Sequence, residues 1–149
     1  MDKLESSDKT GAGNECRTYL EWLLKEICER LEVPISFKRH GRYTVAELFD
    51  PTEKRIRKNL KDGDLKDDLL SKFKALRANV FMGNLLSHDN PEIENLSIEE
   101  VRAFCEAVHN LQEVFLCPKC RRFLKYFRDS GIVRCSDLRC ESPKKGETR

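Results

Sequence analysis

Residues 117–140 read CPKCRRFLKYFRDSGIVRCSDLRC, and the four cysteines of this stretch set the organisation of the chain. Two residues separate the first pair of cysteines, and four residues separate the second pair. A two-residue gap lets both sulfurs face one metal ion, because the backbone turns tightly between them. Four thiolates suit Zn²⁺ in a tetrahedron and leave no coordination position open for chemistry. The spacing therefore predicts a structural zinc site whose ligands are Cys117, Cys120, Cys135 and Cys140.

The fourteen residues between Cys120 and Cys135 read RRFLKYFRDSGIVR and are typical of a β-hairpin. Aromatic and branched residues favour a strand on each side, and they are Phe123, Leu124, Tyr126, Phe127, Ile132 and Val133. Asp129, Ser130 and Gly131 favour the turn between the strands. So short a segment has little core of its own, so we expect metal binding to supply most of its folding free energy. The alternatives, two disulfides or four unrelated cysteines, fit the spacing less well.

The order of CPxC, a hairpin with glycine and a more widely spaced cysteine pair resembles the zinc ribbons of the type IA topoisomerase C-terminal region. Ribbons of that kind often bind single-stranded nucleic acid, so the resemblance implies such a partner. The residues expected to meet phosphates or to stack on bases are Arg121, Arg122, Lys125, Tyr126 and Arg128. Alternatively, the aromatic residues form the core of the ribbon itself or dock on the preceding helix.

Upstream of the ribbon, apolar residues recur at helical spacing over about residues 14–116. Helices are expected at about 14–31, 44–60, 64–86 and 97–115. Thr44 with Glu47, and Ser97 with Glu100, fit the capping box that begins a helix. The connections are short, which favours antiparallel neighbours. The expected fold class is therefore mainly α, an antiparallel helical bundle of four to five helices with a small C-terminal β-hairpin zinc ribbon.

This organisation divides the chain into four parts. Residues 1–13 are expected to form a disordered N-terminal segment, because they are polar and lack an apolar pattern. The bundle spans 14–116, the Cys₄ ribbon spans 117–140, and 141–149 are expected to form a flexible tail. The last helix leads almost directly into Cys117. We therefore expect the ribbon to be held against the bundle rather than to move on a linker.

The composition indicates a protein without a membrane partner. Of its 149 residues, 39% are hydrophobic and 36% are charged, which suits one modest domain with an appendage. No apolar run approaches the roughly 18 residues that span a membrane, and no apolar segment of a secretory signal precedes the first helix. We expect a cytoplasmic protein whose seven cysteines are mostly reduced. Accordingly, Cys16, Cys28 and Cys105 are expected to act as small hydrophobic residues within helices.

Positive charge is concentrated in the C-terminal part of the chain. The net charge is +2, yet residues 117–149 hold ten Lys and Arg against four Asp and Glu. Residues 1–116 carry a net negative charge. This asymmetry indicates an anionic partner for the ribbon. Alternatively, a small ribbon is covered by long charged side chains because it has little core.

The stretch MGNLLSHDN, residues 82–90, is the second distinctive feature. With the helices around it, it resembles a HEPN domain, an all-α family common in bacterial toxins and phage-defence proteins. Ribonucleases of that family carry an Arg, often followed by Asn, and then a His, and they cleave RNA as dimers. Asn84 and His88 match this pattern and are the candidate catalytic residues, whereas Gly83 occupies the position of the Arg. Alternatively, His88 lies at the end of a helix near its last carbonyls.

Taken together, these patterns favour a non-catalytic, HEPN-like module with a structural Zn²⁺. Its partner would be single-stranded nucleic acid or a protein, in a bacterial defence or toxin-type system. A bundle followed by a Cys₄ ribbon also resembles the C-terminal regions of bacterial defence ATPases, which implies a partner ATPase, and HEPN-like bundles commonly form homodimers or heteromers. The alternatives are a metal-independent ribonuclease acting as a dimer, and a pure protein-interaction domain with the ribbon as a structural cap.

Overall fold

A computed structural model describes residues 9–86 and 95–148. Within these ranges there are five helices and three strands. They are α1 (Lys9–Leu31), α2 (Val45–Asn59), α3 (Asp64–Arg77), α4 (Val80–Leu86), α5 (Ile98–Phe115), β1 (Leu124–Phe127), β2 (Ile132–Cys135) and β3 (Lys145–Glu147). The predicted fold class, mainly α with a small C-terminal sheet, is confirmed. In the described ranges, no helix combines the length and the apolar character that crossing a membrane requires.

Both predicted capping boxes are present. The Thr44 hydroxyl accepts a hydrogen bond from the backbone N–H of Glu47 at 3.3 Å, and the Glu47 carboxylate accepts one from the N–H of Thr44 at 2.8 Å. Ser97 and Glu100 repeat this reciprocal arrangement at 3.1 and 2.7 Å. Each pair satisfies N–H groups that have no partner within the helix, so α2 and α5 begin where the sequence predicts.

Two predicted helix boundaries were wrong. The first helix begins at Lys9 rather than near residue 14, so part of the segment expected to be disordered is helical. The long helix expected at 64–86 is two helices, because α3 ends at Arg77 and α4 begins at Val80. Between them, the Asn79 side-chain carbonyl accepts a hydrogen bond from the N–H of Phe81 at 3.0 Å. This side chain starts a new helix at the point where continuation of the old one was expected.

The short connection between α2 and α3 makes these helices antiparallel neighbours. The Phe49 and Phe73 rings lie 4.8 Å apart, and Arg77 at the end of α3 reaches back to Asp50 at 2.8 Å. In contrast, α1 and α2 run in the same direction. Cys28 of α1 contacts Thr52 of α2 at 3.0 Å. Three residues further along both helices, the carbonyl of Leu31 accepts a hydrogen bond from Arg55. Residues 32–44 therefore return along the bundle before α2 begins.

The core lies between α1, α3 and α5 and extends to α2 and α4. Its largest fully buried side chains include Phe49, Phe73, Phe81, Phe104 and Phe115. Phe81 of α4 packs on Phe104 of α5 with ring centroids 4.4 Å apart. This contact stabilises α4, because a helix of only seven residues is held by packing rather than by its own hydrogen bonds.

Cys16 and Cys105 form a disulfide that joins α1 to α5. The prediction that both residues act only as small hydrophobic side chains was therefore wrong. They are 89 positions apart in the sequence, and only the packing of α1 on α5 brings their Cα atoms within 5.6 Å. Cys28 differs, because it is free and buried, and its sulfur lies beside the Thr52 hydroxyl. Burial raises the pKa of the Cys28 thiol, which keeps it neutral.

The C-terminal sheet has three antiparallel strands rather than the two of a hairpin. β1 and β2 form the predicted hairpin, and Gly131 occupies its turn with a positive φ of 63°. β3 then pairs with β2 and lies within 141–149, the segment expected to be a flexible tail. Its sequence, KGE, has no strand signal of its own. The pairing depends on an available edge of β2 and on contacts with the bundle, neither of which is visible locally.

Candidate metal centre and the surface of its sheet

The four predicted metal ligands are positioned by the end of α5, the end of β2 and the turn that follows each of them. Cys117 follows α5 directly, and its N–H donates to the carbonyl of Arg122 at 2.8 Å. The N–H of Arg121 returns to the carbonyl of Cys117 at 3.0 Å, and Arg121 has a φ of 62°. These contacts close the turn that carries Cys120. On the other side of the site, Cys135 ends β2 and the next turn delivers Cys140.

The four sulfurs of this cysteine cluster (Cys117, Cys120, Cys135 and Cys140) all lie within 4.8 Å of one another. Cys117 and Cys140 are 3.6 Å apart, and Cys120 and Cys135 are 3.3 Å apart. A tetrahedron with metal–sulfur bonds of about 2.3 Å has edges of about 3.8 Å. The observed separations are close to this value, so the cluster could hold one metal ion with modest adjustment.

The pKa values of two cysteines in the cluster indicate what a bound cation would change. Burial raises the pKa of Cys117, but hydrogen bonds from Ser142 and from the N–H groups of Cys120 and Lys119 outweigh it and bring the value to about 6. Burial raises the pKa of Cys140, and its neighbouring sulfurs raise it further, to about 12. Cys117 therefore forms a thiolate readily, while ionisation of Cys140 is opposed by burial and by the sulfurs around it. A bound divalent cation would offset this opposition and favour the thiolate form.

The cysteine cluster and the sheet are attached firmly to the bundle. Phe123 packs between Trp22 of α1 and Phe115 of α5, with centroid distances of 5.9 and 6.0 Å. Lys144 donates to the carbonyls of Val114 at 2.9 Å and Leu116 at 3.3 Å, at the end of a helix that has no basic residue in its last turn. These contacts confirm that the ribbon is held against the bundle.

Glycine at position 146 suits this attachment. A Cβ atom at Gly146 would lie 3.0 Å from a methyl group of Leu65 and 3.6 Å from one of Leu60. β3 therefore lies close to the start of α3, and a larger side chain at this position would require the leucines to shift. Next to it, Lys61 pairs with Glu147 at 3.1 Å, and the backbone at Leu60 pairs with Thr148.

Two of the arginines predicted to contact nucleic acid are already paired with the bundle. Arg121 forms a bidentate ion pair with Glu113 at 2.6 and 2.7 Å. Arg128 pairs with Glu32 through its Nε–H, which is shared between the two carboxylate oxygens at 2.8 and 2.9 Å. The guanidinium of Arg121 also holds the pKa of the Glu113 carboxyl below its usual value. Arg121 thus joins the ribbon to the last turn of α5, eight residues away, and Arg128 joins it to the residue that follows α1, 96 residues away.

The other predicted contact residues divide between the two faces of the sheet. Tyr126 is half-buried on the inner face, where the Arg55 guanidinium lies 5.5 Å from its ring centroid. Arg122 pairs with Asp137 at 3.6 Å. Lys125 is exposed on the outer face. Contact of these residues with nucleic acid stays a prediction, and the structure shows which of them already have other partners.

A row of three cations crosses the outer face of the sheet. Lys125 pairs in register with Arg134, and Arg134 with Lys145. Directly opposite residues in antiparallel strands point to the same face, so these side chains are neighbours. Phe127 lies on the same face, with the Arg134 guanidinium 4.7 Å and the Lys125 ammonium 5.9 Å from its ring centroid. We call these four residues the cationic sheet face.

The sequence did not predict Arg134 and Lys145 as contacts for nucleic acid. The period of two along a strand would have placed Arg134 on the same face as Ile132, opposite the buried Val133 and Cys135. Lys145 could not have been found in this way, because β3 was not expected. The register between strands, rather than charge along the sequence, defines the cationic sheet face.

The histidine motif is only partly within the described residues. Asn84 and Gly83 lie on α4, which packs against α5 through Phe81. Gly83 is exposed, and a Cβ atom there would have nothing within 4 Å. His88 lies outside the described residues. The structure therefore places one of the two candidate catalytic residues and leaves their geometry as a prediction.

No family model, no curated protein and no solved structure matches this chain. The class of site is thus defined by the cysteine cluster itself, four close sulfurs that could hold a metal ion.

The metal content of the purified protein tests this site. We expect about one metal ion per chain in protein purified under reducing conditions. Cys120→Ser should lower the metal content and unfold the ribbon. The loss of one thiolate weakens the binding of the metal ion, and this binding stabilises the ribbon. Cys28→Ala is the matched control, since Cys28 is free and lies outside the cluster. Elemental analysis that finds no metal in the wild-type chain would exclude the site.

Proposed function

We propose that this chain is a non-catalytic, zinc-stabilised module that binds single-stranded nucleic acid through the cationic sheet face. The observation that carries the proposal is the row of Lys125, Arg134 and Lys145 in direct register beside the Phe127 ring. Zinc is the metal proposed for the cysteine cluster because four thiolates in a tetrahedron are its usual structural site.

The cationic row is unfavourable for the fold by itself. Like charges directly opposite each other across strands destabilise a sheet. Arg121 and Arg128 have glutamate partners, whereas for Lys125, Arg134 and Lys145 the described part of the chain contains no ion pair. An anion bound across the row would relieve the repulsion. A polyanion with phosphates spaced along it fits a row of cations better than a single small anion does.

The Phe127 ring supplies the second half of the argument. Its centroid is 4.7 Å from the Arg134 guanidinium, so a flat aromatic group and a flat cation share one face. Bases of a single strand stack on such groups, and each stack contributes affinity without sequence preference. Paired bases of a duplex are not available for stacking, so the proposed ligand is single-stranded.

A titration with labelled single-stranded RNA tests the proposed surface. The triple variant Lys125→Gln/Arg134→Gln/Lys145→Gln should bind more weakly and should reduce the slope of log affinity against log salt by about 2, since each phosphate contact contributes about 0.7. The matched control is Arg17→Gln/Lys74→Gln/Arg102→Gln, which removes three exposed cations from helices. Fluorescence anisotropy at several salt concentrations measures both quantities. Equal affinity of the two variants would disprove the site.

The same module is proposed to lack ribonuclease activity. In the HEPN-like pattern, a cation at the position of Gly83 would stabilise charge on the scissile phosphate, and glycine supplies none. We expect RNA to remain intact when it is incubated with the wild-type chain without metal. Gly83→Arg is a second variant to test, because it places an arginine at the position that the pattern requires and the site has room for the side chain. Cleavage by the wild type that His88→Ala abolishes would establish the ribonuclease instead.

We also propose that the chain associates with a second copy or with another protein in a bacterial defence or toxin-type system, on the basis of the HEPN-like resemblance. Tyr19 and Trp22 are half-exposed on α1 and lie 5.4 Å apart, so they offer an aromatic patch for such contact. Light scattering of the pure chain at micromolar concentration should give about twice 17.4 kDa for a homodimer. A mass of 17.4 kDa would exclude the homodimer, and a partner ATPase would then have to be sought separately.

A further inference from the structure

A second cationic surface lies on the bundle, in the segment that returns from α1 to α2. Residues 37–42, FKRHGR, form what we call the basic turn. The N–H of Gly41 donates to the carbonyl of Lys38 at 3.0 Å, and Gly41 has a φ of 61°, which suits glycine. This closed turn places Arg39 and His40 at its tip.

The base of the turn is held by local contacts. The N–H of Lys38 donates to the Tyr43 hydroxyl at 3.0 Å, and the Lys38 ammonium lies 5.8 Å from the Tyr43 ring centroid. The same ammonium pairs with Glu47, the capping residue of α2. Lys38 is therefore occupied, and it ties the turn to the start of α2. The remaining cations of the turn are presented on a fixed base.

Three basic side chains of the turn have no acidic partner. Arg39, His40 and Arg42 are exposed, and no ion pair links them to any residue of 9–86 or 95–148. Together with Lys38 they line an open hollow of about 730 Å³. This volume lies in the range of about 300–1,000 Å³ that is typical of ligand sites.

Phe37 stands beside these cations with 89% of its side chain exposed, the highest value among the large hydrophobic residues that the structure describes as exposed. Such exposure contributes nothing to the core, and the neighbouring Ile35 and Tyr43 pack inward instead. An exposed ring next to unpaired arginines has the two features that single-stranded nucleic acid requires, a platform for a base and charge for the phosphates.

We infer that the basic turn is a second contact for single-stranded nucleic acid, separate from the cationic sheet face; this inference rests on the proposed function. Phe37 stacks on a base, while Arg39 and Arg42 bind the adjacent phosphates. A membrane surface fits less well, because the arginines line a hollow. Phe37 is also a single apolar side chain, and stable membrane attachment takes a broad apolar face or two anchoring signals.

The binding of a fluorescent 20-nucleotide oligo-uridine to the full chain tests the turn. Arg39→Gln/Arg42→Gln should weaken binding and lower the salt slope by about 1.4, the value for two phosphate contacts. Phe37→Ala should weaken binding about fivefold or more and leave the salt slope unchanged, since stacking involves no counterion release. Because Phe37 is exposed, its loss should leave the fold intact. The control is Arg17→Gln/Arg102→Gln, two exposed arginines on α1 and α5.

Combination with the triple variant of the cationic sheet face separates this inference from the proposed function. Loss of binding in the turn variants alone supports the turn and removes the sheet face as the site. Loss in the sheet variant alone, or turn variants that bind as the control does, overturns the inference and leaves the proposed function intact. Failure of the wild type to bind the RNA overturns both. Sedimentation with anionic phospholipid vesicles that depends on Phe37, without RNA binding at the turn, would also overturn it.

Discussion

Four cysteine sulfurs share one small volume at the junction of bundle and sheet, and the C-terminal sheet depends on this arrangement. Without a cation, the pKa of Cys117 is lowered to about 6, whereas burial and the neighbouring sulfurs raise that of Cys140 to about 12. With a cation, the cluster joins the end of α5 to the turn after β2. Since Cys117 follows α5 without a linker, the position of the cluster also sets the position of the sheet on the bundle.

Contacts between the bundle and the sheet then determine which charges remain available. Glu113 and Glu32 occupy Arg121 and Arg128, and the carbonyls at the end of α5 occupy Lys144. These exposed pairs add little stability individually, yet they orient the sheet so that its inner face meets α1 and α2. In the described chain, no acidic residue is paired with the cations of the outer face, nor with Arg39 and Arg42 of the basic turn. Net charge in the sequence does not distinguish these two groups of cations.

The two proposed contact surfaces share one physical design on different supports. Each combines an aromatic ring with cations that lack acidic partners, and each is held on a rigid base. For the sheet that base is the register of three strands, and for the basic turn it is the pairing of Lys38 with Glu47. A single strand of nucleic acid that contacted both surfaces would be bound at two separate points of the same chain. Such binding gains affinity because the second contact forms at high effective concentration.

Features encoded over a few residues were determined by the sequence itself. The capping boxes at Thr44 and Ser97, the hairpin turn at Gly131 and the metal-ligand spacing around Cys117 all depend on neighbours within a few positions. The helical periodicity determined the fold class in the same way, because an apolar stripe has to be buried.

Only the tertiary structure decided the features whose partners lie far apart in the chain. The disulfide joins residues 89 positions apart, and the ion pair of Arg128 with Glu32 spans 96 positions. β3 pairs because β2 offers an edge and Gly146 fits against Leu65. In each case the stabilising contact exists only after the helices have packed, so no local pattern records it. This is also why an arginine that a motif would assign to a ligand is found on a glutamate of the bundle.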